Sequence, residues 1–531
     1  MTKINESMIK IIDDQVTENN NIAYRFAEHL SVIPESIAYI QGGRKVVWKE
    51  SIERTYRICQ ALQRLGLKKG DRVAMLSHNS IEYSEVMTAT LLIGACMVPF
   101  STLVTTESMI KMLKDSSAKV LVASRELAEQ ISPSVDEVAT LVKGGKLIFD
   151  GDFPQWQNLY TLIAGEEAIA PDVEISGDDE FNIIYTSGTT GSPKGILYKH
   201  YPRHVIANSF FVDLNVTNLI STPLYSNMTI VTWYPTIYNG GTTVIMDKFD
   251  GEQALQLIEK HKITVAMFVP VQYERMLKVD NFQQYDLSSM KRKYSTSSIL
   301  RASVKRDLLD RFPGVLIEFY ALTEGGAGTI LIADLFPTKL DSVGKAGPGH
   351  ELKIIDDIGN EVPVGEAGEI IGHSPVMSEG YINNEISNKK LQWHDDGGKL
   401  FYKSGDIGRL DDDGFLYLLD RKKDVIISGG VNIYAVDLEF ELLNHSDVHE
   451  VGVIAAPSEK WGESPVAFVV KKYTSKITGE TLRLWVNDRL GKNQKITEVI
   501  FLKNLPKNHI GKLLKTKLQY EYAKRHIDEE T

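Results

Sequence analysis

Three short stretches of this 531-residue chain carry side chains whose types and spacing could do chemistry. The first is Tyr185-Thr-Ser-Gly-Thr-Thr-Gly-Ser-Pro-Lys-Gly195, which follows the apolar, β-prone run Phe181 to Tyr185. Glycines in such a loop permit close backbone approach, and successive exposed N–H groups form an anion-binding nest. Thr186, Ser187, Thr189, Thr190 and Ser192 add hydroxyls beside Gly188 and Gly191, and Lys194 adds a fixed positive charge. The ligand that suits this loop is a polyphosphate. It is not a Walker loop, because Lys194 is followed by Gly195 rather than by Ser or Thr. The second stretch, Tyr320-Ala321-Leu322-Thr323-Glu324, follows a predicted strand and heads the Gly-rich loop Gly325 to Gly328. A carboxylate at a strand's C-terminal end, beside a polyphosphate loop, is well placed to hold Mg²⁺. The third, Tyr402-Lys-Ser-Gly-Asp406, presents a carboxylate that can accept both hydroxyls of a ribose. Singly these stretches read as a flexible linker, a helix cap and a turn; the strand before the first loop argues against the linker.

The elements around them alternate. Helical spacing covers Tyr24 to Leu30, Ser51 to Leu65, Ser80 to Gly94, Glu107 to Asp115, His204 to Leu214, Gly251 to His261 and Ser303 to Phe312. Between them lie strand-like runs at Arg72 to Leu76, Lys119 to Ala123, Lys146 to Phe149, Thr242 to Met246, Val265 to Val269 and Leu316 to Tyr320. Strand–helix alternation at this spacing indicates βαβ units and parallel sheets covered on both faces. From Gly344 the texture changes to short strands (Leu352 to Ile355, Glu369 to Gly372, Phe415 to Leu419), with Asp411 to Gly414 as a hairpin turn. The expected fold is an α/β large N-terminal domain over residues 1–420, made of two parallel-sheet halves plus a small β-rich subdomain. A short charged connector, 421–424, suits a hinge to a small α+β C-terminal domain over residues 425–531.

Composition narrows the class. Hydrophobic content of 43% and charged content of 24% are those of an ordinary globular protein. A formal charge of −11 argues against a nucleic-acid surface. Cys59 and Cys96 sit in apolar runs, which excludes a disulfide framework and fits a reducing, cytoplasmic setting. The most apolar run, Leu91 to Phe100, is half the length of a membrane span, and the N-terminus has no signal-peptide core.

The Tyr185–Gly195 loop resembles the phosphate-binding signature of the adenylate-forming superfamily, which comprises acyl- and aryl-CoA synthetases, luciferases and peptide-synthetase adenylation domains. The later stretches follow in that family's order. The resemblance implies ATP, Mg²⁺ and CoA as cofactors and co-substrates, with Thr186 and Glu324 at the metal and Lys194 on the phosphates. It places Thr323 at the α-phosphate, Tyr320 with Ala321 and Leu322 near adenine, and Asp406 with Arg421 on the ribose. Ser295 to Ser298 stands where the family carries a Gly-Gly-Ala-like adenine contact, so Ser297 and Ser298 are the expected backbone contacts there. Leu505-Pro-Lys-Asn-His-Ile-Gly-Lys512 resembles the terminal motif whose lysine, here Lys512, reaches the active site. Ile427 to Ile433 resembles the loop that enters for thioester formation, putting Ser428, Gly429 and Gly430 on the CoA path with Lys423 as pivot. Trp461-Gly462-Glu463 resembles a segment common in CoA ligases.

One position departs from the family. Pro223-Leu224-Tyr225-Ser226 has serine where relatives carry a histidine that lines the acyl pocket. Asn227, Met228, Trp233, Tyr238, Val271 and Gln272 are the main expected pocket residues, joined by Tyr273, Thr296, Ala321 and Gly326. Their mixed apolar, aromatic and amide character favours a medium- or long-chain fatty acid, with an aromatic acid as the alternative. No acid lies between Tyr225 and Tyr234, so an amino acid would bury an unpaired ammonium. A ligase loading an acyl carrier protein and an inactive nucleotide-binding scaffold are the other readings; Lys194, Glu324, Asp406, Arg421 and Lys512 speak against the scaffold.

Overall fold

The computed structural model describes residues 15–186, 193–209, 215–428, 431–491, 494–507 and 513–530. Two twisted sheets form the bulk of the chain. The first has seven strands in the order Gln157–Asn158, Lys146–Ile148, Val120–Ala123, Arg72–Leu76, Cys96–Pro99, Glu180–Thr186 and Lys194–Lys199. Its pairings are parallel except at the last, where Lys194–Lys199 folds back antiparallel on Glu180–Thr186. The phosphate loop is the connection of that hairpin. The buried strands are near-continuous apolar runs, as parallel strands covered on both faces must be.

The second sheet has nine strands, and its parallel centre runs through Val315–Ala321, Arg292–Ser295, Val265–Phe268, Thr217–Ile220 and Thr242–Ile245. The N-terminal hairpin Ile37–Gln41/Arg44–Val47 completes its edge, with Tyr39 opposite Thr243. Local sequence pattern carries no trace of that long-range pairing. Between the sheets, helices Trp48–Arg64, Ile81–Leu92 and Asn227–Tyr238 share one core containing Trp48, Tyr83, Phe181, Trp233 and Tyr238. Ser80 starts the middle helix by accepting a bond from the Tyr83 N–H, satisfying one of its free first-turn donors. The helix expected over His204 to Leu214 begins earlier, at His200, and is described to Ser209; residues 210–214 lie outside the described residues.

A third, five-stranded sheet is built from Glu351–Ile355, Gly368–His373, Gln392–His394, Leu400–Leu410 and Leu416–Arg421. The last two form the hairpin anticipated at Asp411 to Gly414. The Asp411 carboxylate accepts from the Asp413 and Phe415 N–H groups, and Gly414 takes φ 80°, which glycine adopts without strain. A fourth sheet, with Val448–Ser458 and Gly462–Lys471 at its centre, belongs to the C-terminal part and is flanked by helices Ala435–Leu443, Gly479–Asn487 and Lys515–Glu530. Among the described residues, no helix is long and apolar enough to cross a membrane.

Candidate functional site

The chemistry-bearing stretches meet where strands end. Thr186 closes Glu180–Thr186, Glu324 follows Val315–Ala321, and Ser297 follows Arg292–Ser295, each at a carboxyl end, where open α/β sheets bind ligands. Lys194 opens the returning strand, its backbone paired with Thr186. Ser187, Gly188, Thr189, Thr190, Gly191 and Ser192 lie outside the described residues.

The hub of this cradle is Tyr381, which sequence reasoning missed. Its hydroxyl donates to Glu324 Oε1 at 2.5 Å, and the Lys194 Nζ lies 5.1 Å from its ring centroid. Burial and the Glu324 charge both push the Tyr381 phenol pKa up, so it remains a donor. Residues 379–382 run alongside the strand after the phosphate loop: Glu379 N donates to Leu197 O, Leu197 N to Gly380 O, and Ile382 N to Gly195 O. The only sequence signal was an aromatic after a Gly, Gly380-Tyr381, which is common in turns. Ser378 N donates to Glu324 O, and the Tyr198 hydroxyl donates to Thr323 O at 2.6 Å, fixing the backbone of the Thr-Glu pair. Gly325, at φ 82°, packs so tightly that a Cβ there would stand 2.2 Å from Val376 O.

The ribose candidates are brought together. Asp406 and Arg421 are register partners on adjacent strands, and Arg421 Nε lies 2.6 Å from Asp406 Oδ1. The Tyr320 hydroxyl donates to Asp406 Oδ2 at 2.9 Å. Tyr320, Asp406 and Arg421 thus form one preassembled group, joining the ends of two sheets. Ser297 adopts φ 76°, unusual for a residue with a side chain, and its hydroxyl lies 3.1 Å from Met228 Sδ. Ser298 is its half-buried neighbour, and Ala321 and Leu322 link strand Val315–Ala321 to Thr323.

The expected acyl wall divides. Met228 and Val271 belong to an apolar cluster with Val269, Tyr294 and Phe319, where the last two rings stack at 5.6 Å. Trp233 and Tyr238 pack in the core cluster between the sheets. Both are 0% exposed, so neither faces a cavity that water can enter. The Trp233 indole donates to Ser84 Oγ at 2.6 Å, and the Tyr238 ring lies under the Arg25 guanidinium at 4.9 Å. They fill the core between the sheets, because ten of the twelve residues of helix Asn227–Tyr238 are buried. Tyr273 is likewise enclosed, its hydroxyl donating to Tyr294 O. Gln272 is spent on backbone: its Oε1 accepts from Val269 N and its Nε2 donates to Ser221 O. Asn227 Oδ1 accepts from Arg203 at 2.7 Å. Ser226 is the N-cap of that helix, without a side-chain capping bond.

Arg203 is the other residue that sequence reasoning missed. Its guanidinium is buried, donates to the amide oxygens of Asn182 and Asn227, and stacks 3.9 Å from the Tyr198 centroid. Burial lowers its pKa to about 10. It ties the strand before the phosphate loop to the helix after Ser226.

Lys423 lies exposed in a short turn, Lys422–Asp424, between the third and fourth sheets. Ser428 is buried, in register with Val431 and Gly462. Gly429, Gly430 and Lys512 lie outside the described residues. The stem of the segment that carries Lys512 is described: Lys507 bridges Leu513, and Leu514 N donates to Pro506 O.

Comparison with known proteins identifies the family. The model of the AMP-binding enzyme family matches residues 26–382, and that of the AMP-binding enzyme C-terminal domain matches 437–512. The chain is 30% identical over 516 residues to the long-chain-fatty-acid–CoA ligase FadD13 of Mycobacterium tuberculosis, covering 95% of this chain and 99% of that one. It is 29% identical to the feruloyl-CoA synthase of an Amycolatopsis species, covering 92% and 96%. Among solved structures, ATP-bound MatB from Rhodopseudomonas palustris superposes with a TM-score of 0.84 at 27% identity, over 94% of this chain and 99% of that one. The apo structure of the same protein, at the same identity and 95% and 99% coverage, superposes with 0.74. From the phosphate-loop hairpin to the C-terminal domain, the chain belongs to the AMP-binding enzymes, in the CoA-ligase branch of the adenylate-forming superfamily.

Proposed function

We propose that this AMP-forming acid–thiol ligase activates a medium- or long-chain fatty acid as its acyl-adenylate and transfers the acyl group to CoA. The observation that supports the reading most strongly is the convergence of Lys194, Glu324 and the Tyr320–Asp406–Arg421 group at the carboxyl ends of two sheets. Phosphate, metal and ribose recognition then lie in the order that a nucleotide would present them. The stretch at the acyl end is apolar (Met228, Val269, Val271, Phe319), which supports an aliphatic chain.

In the first step a carboxylate oxygen attacks the α-phosphorus of ATP and pyrophosphate leaves. Lys194 holds the phosphates, Thr323 orients the α-phosphate, and Asp406 with Arg421 fixes the ribose. Lys512 draws the two anions together. There is little proton chemistry to perform, so positioning and charge neutralisation supply most of the rate. Glu324 suits Mg²⁺, because that ion takes one or two carboxylates and fills its remaining positions with water and phosphate oxygens. Among the described residues no cluster of three or more His, Cys, Asp or Glu could hold a metal without them. When bound, the ion supplies neutralisation of the charge building between the leaving phosphates. Thr186, at the mouth of the loop, stands with Glu324 in that role. In the second step the small domain pivots near Lys423, Lys512 withdraws, and Ser428, Gly429 and Gly430 border the path by which the CoA thiol displaces AMP.

A second reading, an aryl-CoA ligase, is favoured by the stacked Tyr294–Phe319 pair in the same apolar cluster. A carrier-protein thiol is the alternative acceptor. A pyrophosphate-release screen over fatty, aryl and short-chain acids, with and without CoA, decides among them. Preferential turnover of C8–C18 acids to the CoA thioester is expected; turnover confined to aryl acids would overturn the aliphatic assignment. Exchange with standard amino acids would overturn the whole reading.

A further inference from the structure

The chain crosses from the third sheet to the fourth through three consecutive charged residues that face different ways. Arg421 turns back to Asp406, and Lys422 turns back to Glu369 and Asp357, each at 3.0 Å, so both are anchored on the large domain. Asp420 reaches forward. It is the penultimate residue of strand Leu416–Arg421, in register with Ile407, yet its Oδ2 accepts from the N–H of Ala435 at 2.8 Å. Ala435 is the first residue of helix Ala435–Leu443, on the far side of Lys423. A carboxylate there satisfies a free first-turn donor and faces the positive end of the helix dipole.

The other oxygen of Asp420 lies 3.7 Å from Lys515 Nζ, which is itself 3.3 Å from Glu439 Oε1. The side chains are 6% (Asp420), 16% (Lys515) and 20% (Glu439) exposed, so solvent screens the group little. Glu439 in turn accepts from Val453 N, which binds the lysine to the body of the fourth sheet. Burial would lower the Lys515 pKa, but the carboxylates of Glu439, Asp420 and Asp424 outweigh it and keep the ammonium charged.

We infer that Asp420 and Lys515 form a latch across the pivot, which holds the small domain in its adenylation arrangement and makes Lys515 a positioning residue for the first half-reaction only. The inference rests on the two-step reading above. A rotation about Lys423 carries Ala435, Glu439 and Lys515 together and leaves Asp420 with its strand, so the Asp420 contacts belong to one arrangement of the two. That arrangement resembles ATP-bound MatB (0.84) more than apo MatB (0.74), at equal identity. Lys515 opens helix Lys515–Glu530 immediately after the stem Lys507–Leu513, so fixing it fixes the base of the segment that carries Lys512.

The test uses the full-length protein with spin labels at Ile358→Cys and Tyr473→Cys. These sites are 85% and 104% exposed, one on each side of the pivot, while Cys59 and Cys96 are buried and escape labelling. Asp420→Asn keeps an acceptor for Ala435 and removes the charge; Lys515→Gln repeats the test from the other side. Each should broaden the interdomain distance distribution with ATP bound and slow acyl-adenylate formation about tenfold. Thioester formation from supplied acyl-AMP and CoA should be unchanged or faster. A wild-type distance distribution in either variant, or an equal fall in both half-reactions, would show an ordinary structural ion pair and overturn the latch. If the unsubstituted protein makes no acyl-adenylate, the two-step reading fails, and the distance measurement still decides whether the latch exists.

Discussion

The candidate nucleotide cradle and the helix Asn227–Tyr238 are built on opposite principles. In the cradle each polar group is assigned a neighbour: Glu324 to Tyr381, Asp406 to Arg421 and Tyr320, Thr323 O to Tyr198. The helix is buried on nearly every side, and its identity is set by packing against both sheets. Chemistry restricts the cradle to a few residue types at given spacings. Packing asks only for apolar volume, so the face of the helix toward substrate is not marked in its sequence.

The comparison is tested hardest by removing charge from the cradle. Lys512→Ala should slow acyl-adenylate formation by roughly 10²–10³-fold, the scale for losing one preorganised electrostatic partner. Thioester formation from synthetic acyl-AMP should proceed near the normal rate, as read by quenched-flow of the two half-reactions. Glu324→Gln should cost about 10²-fold in pyrophosphate release, with partial rescue by excess Mg²⁺. Full activity in that variant would remove Glu324 from the metal role and with it the meaning given to Tyr381.

The helix should answer differently. Trp233→Ala should cost about 3–5 kcal/mol of stability, the range for truncating a buried aromatic, and leave the acid preference of the folded fraction unchanged. Met228→Trp should do the reverse, shifting chain-length preference toward shorter acids with a small change in melting temperature. If Trp233→Ala instead widened the range of acids accepted, the helix would face substrate as the sequence first suggested.

The smallest effect is a pH dependence. His200 is buried against Phe181, their ring centroids 5.0 Å apart, and burial lowers its pKa to about 4. A neutral imidazole is therefore required in the fold, while the unfolded chain takes up a proton below its ordinary pKa of about 6.5. This contribution is present in full above that pH and is lost as pH falls toward 4, to a total of about 3 kcal/mol. Chemical denaturation between pH 7 and 4 should show the loss, and His200→Asn should flatten it.

Much of this site was legible in the residues themselves. The Asp411–Gly414 turn marked a hairpin, which sets Asp406 opposite Arg421, the two residues that the family resemblance had paired; the middle of the expected phosphate loop, 187–192, lies outside the described residues. Tyr381 and Arg203 were not legible, because each acts through partners far away in the chain: Glu324 for one, Asn182 and Asn227 for the other. The N-terminal hairpin was hidden for the same reason, since its pairing to Thr242–Ile245 spans about two hundred residues. The burial of Trp233 and Tyr238 in the core was not legible, because on a helix buried on nearly every side periodicity does not separate core from pocket.

The most direct test is a single-turnover reaction of the enzyme with ATP, Mg²⁺ and a labelled medium-chain fatty acid, quenched before and after addition of CoA and resolved by mass spectrometry. Acyl-AMP should accumulate in stoichiometric amount without CoA, then convert to acyl-CoA with release of AMP when CoA is added. Release of ADP and phosphate, or an acyl-AMP that CoA does not consume, would contradict the assignment.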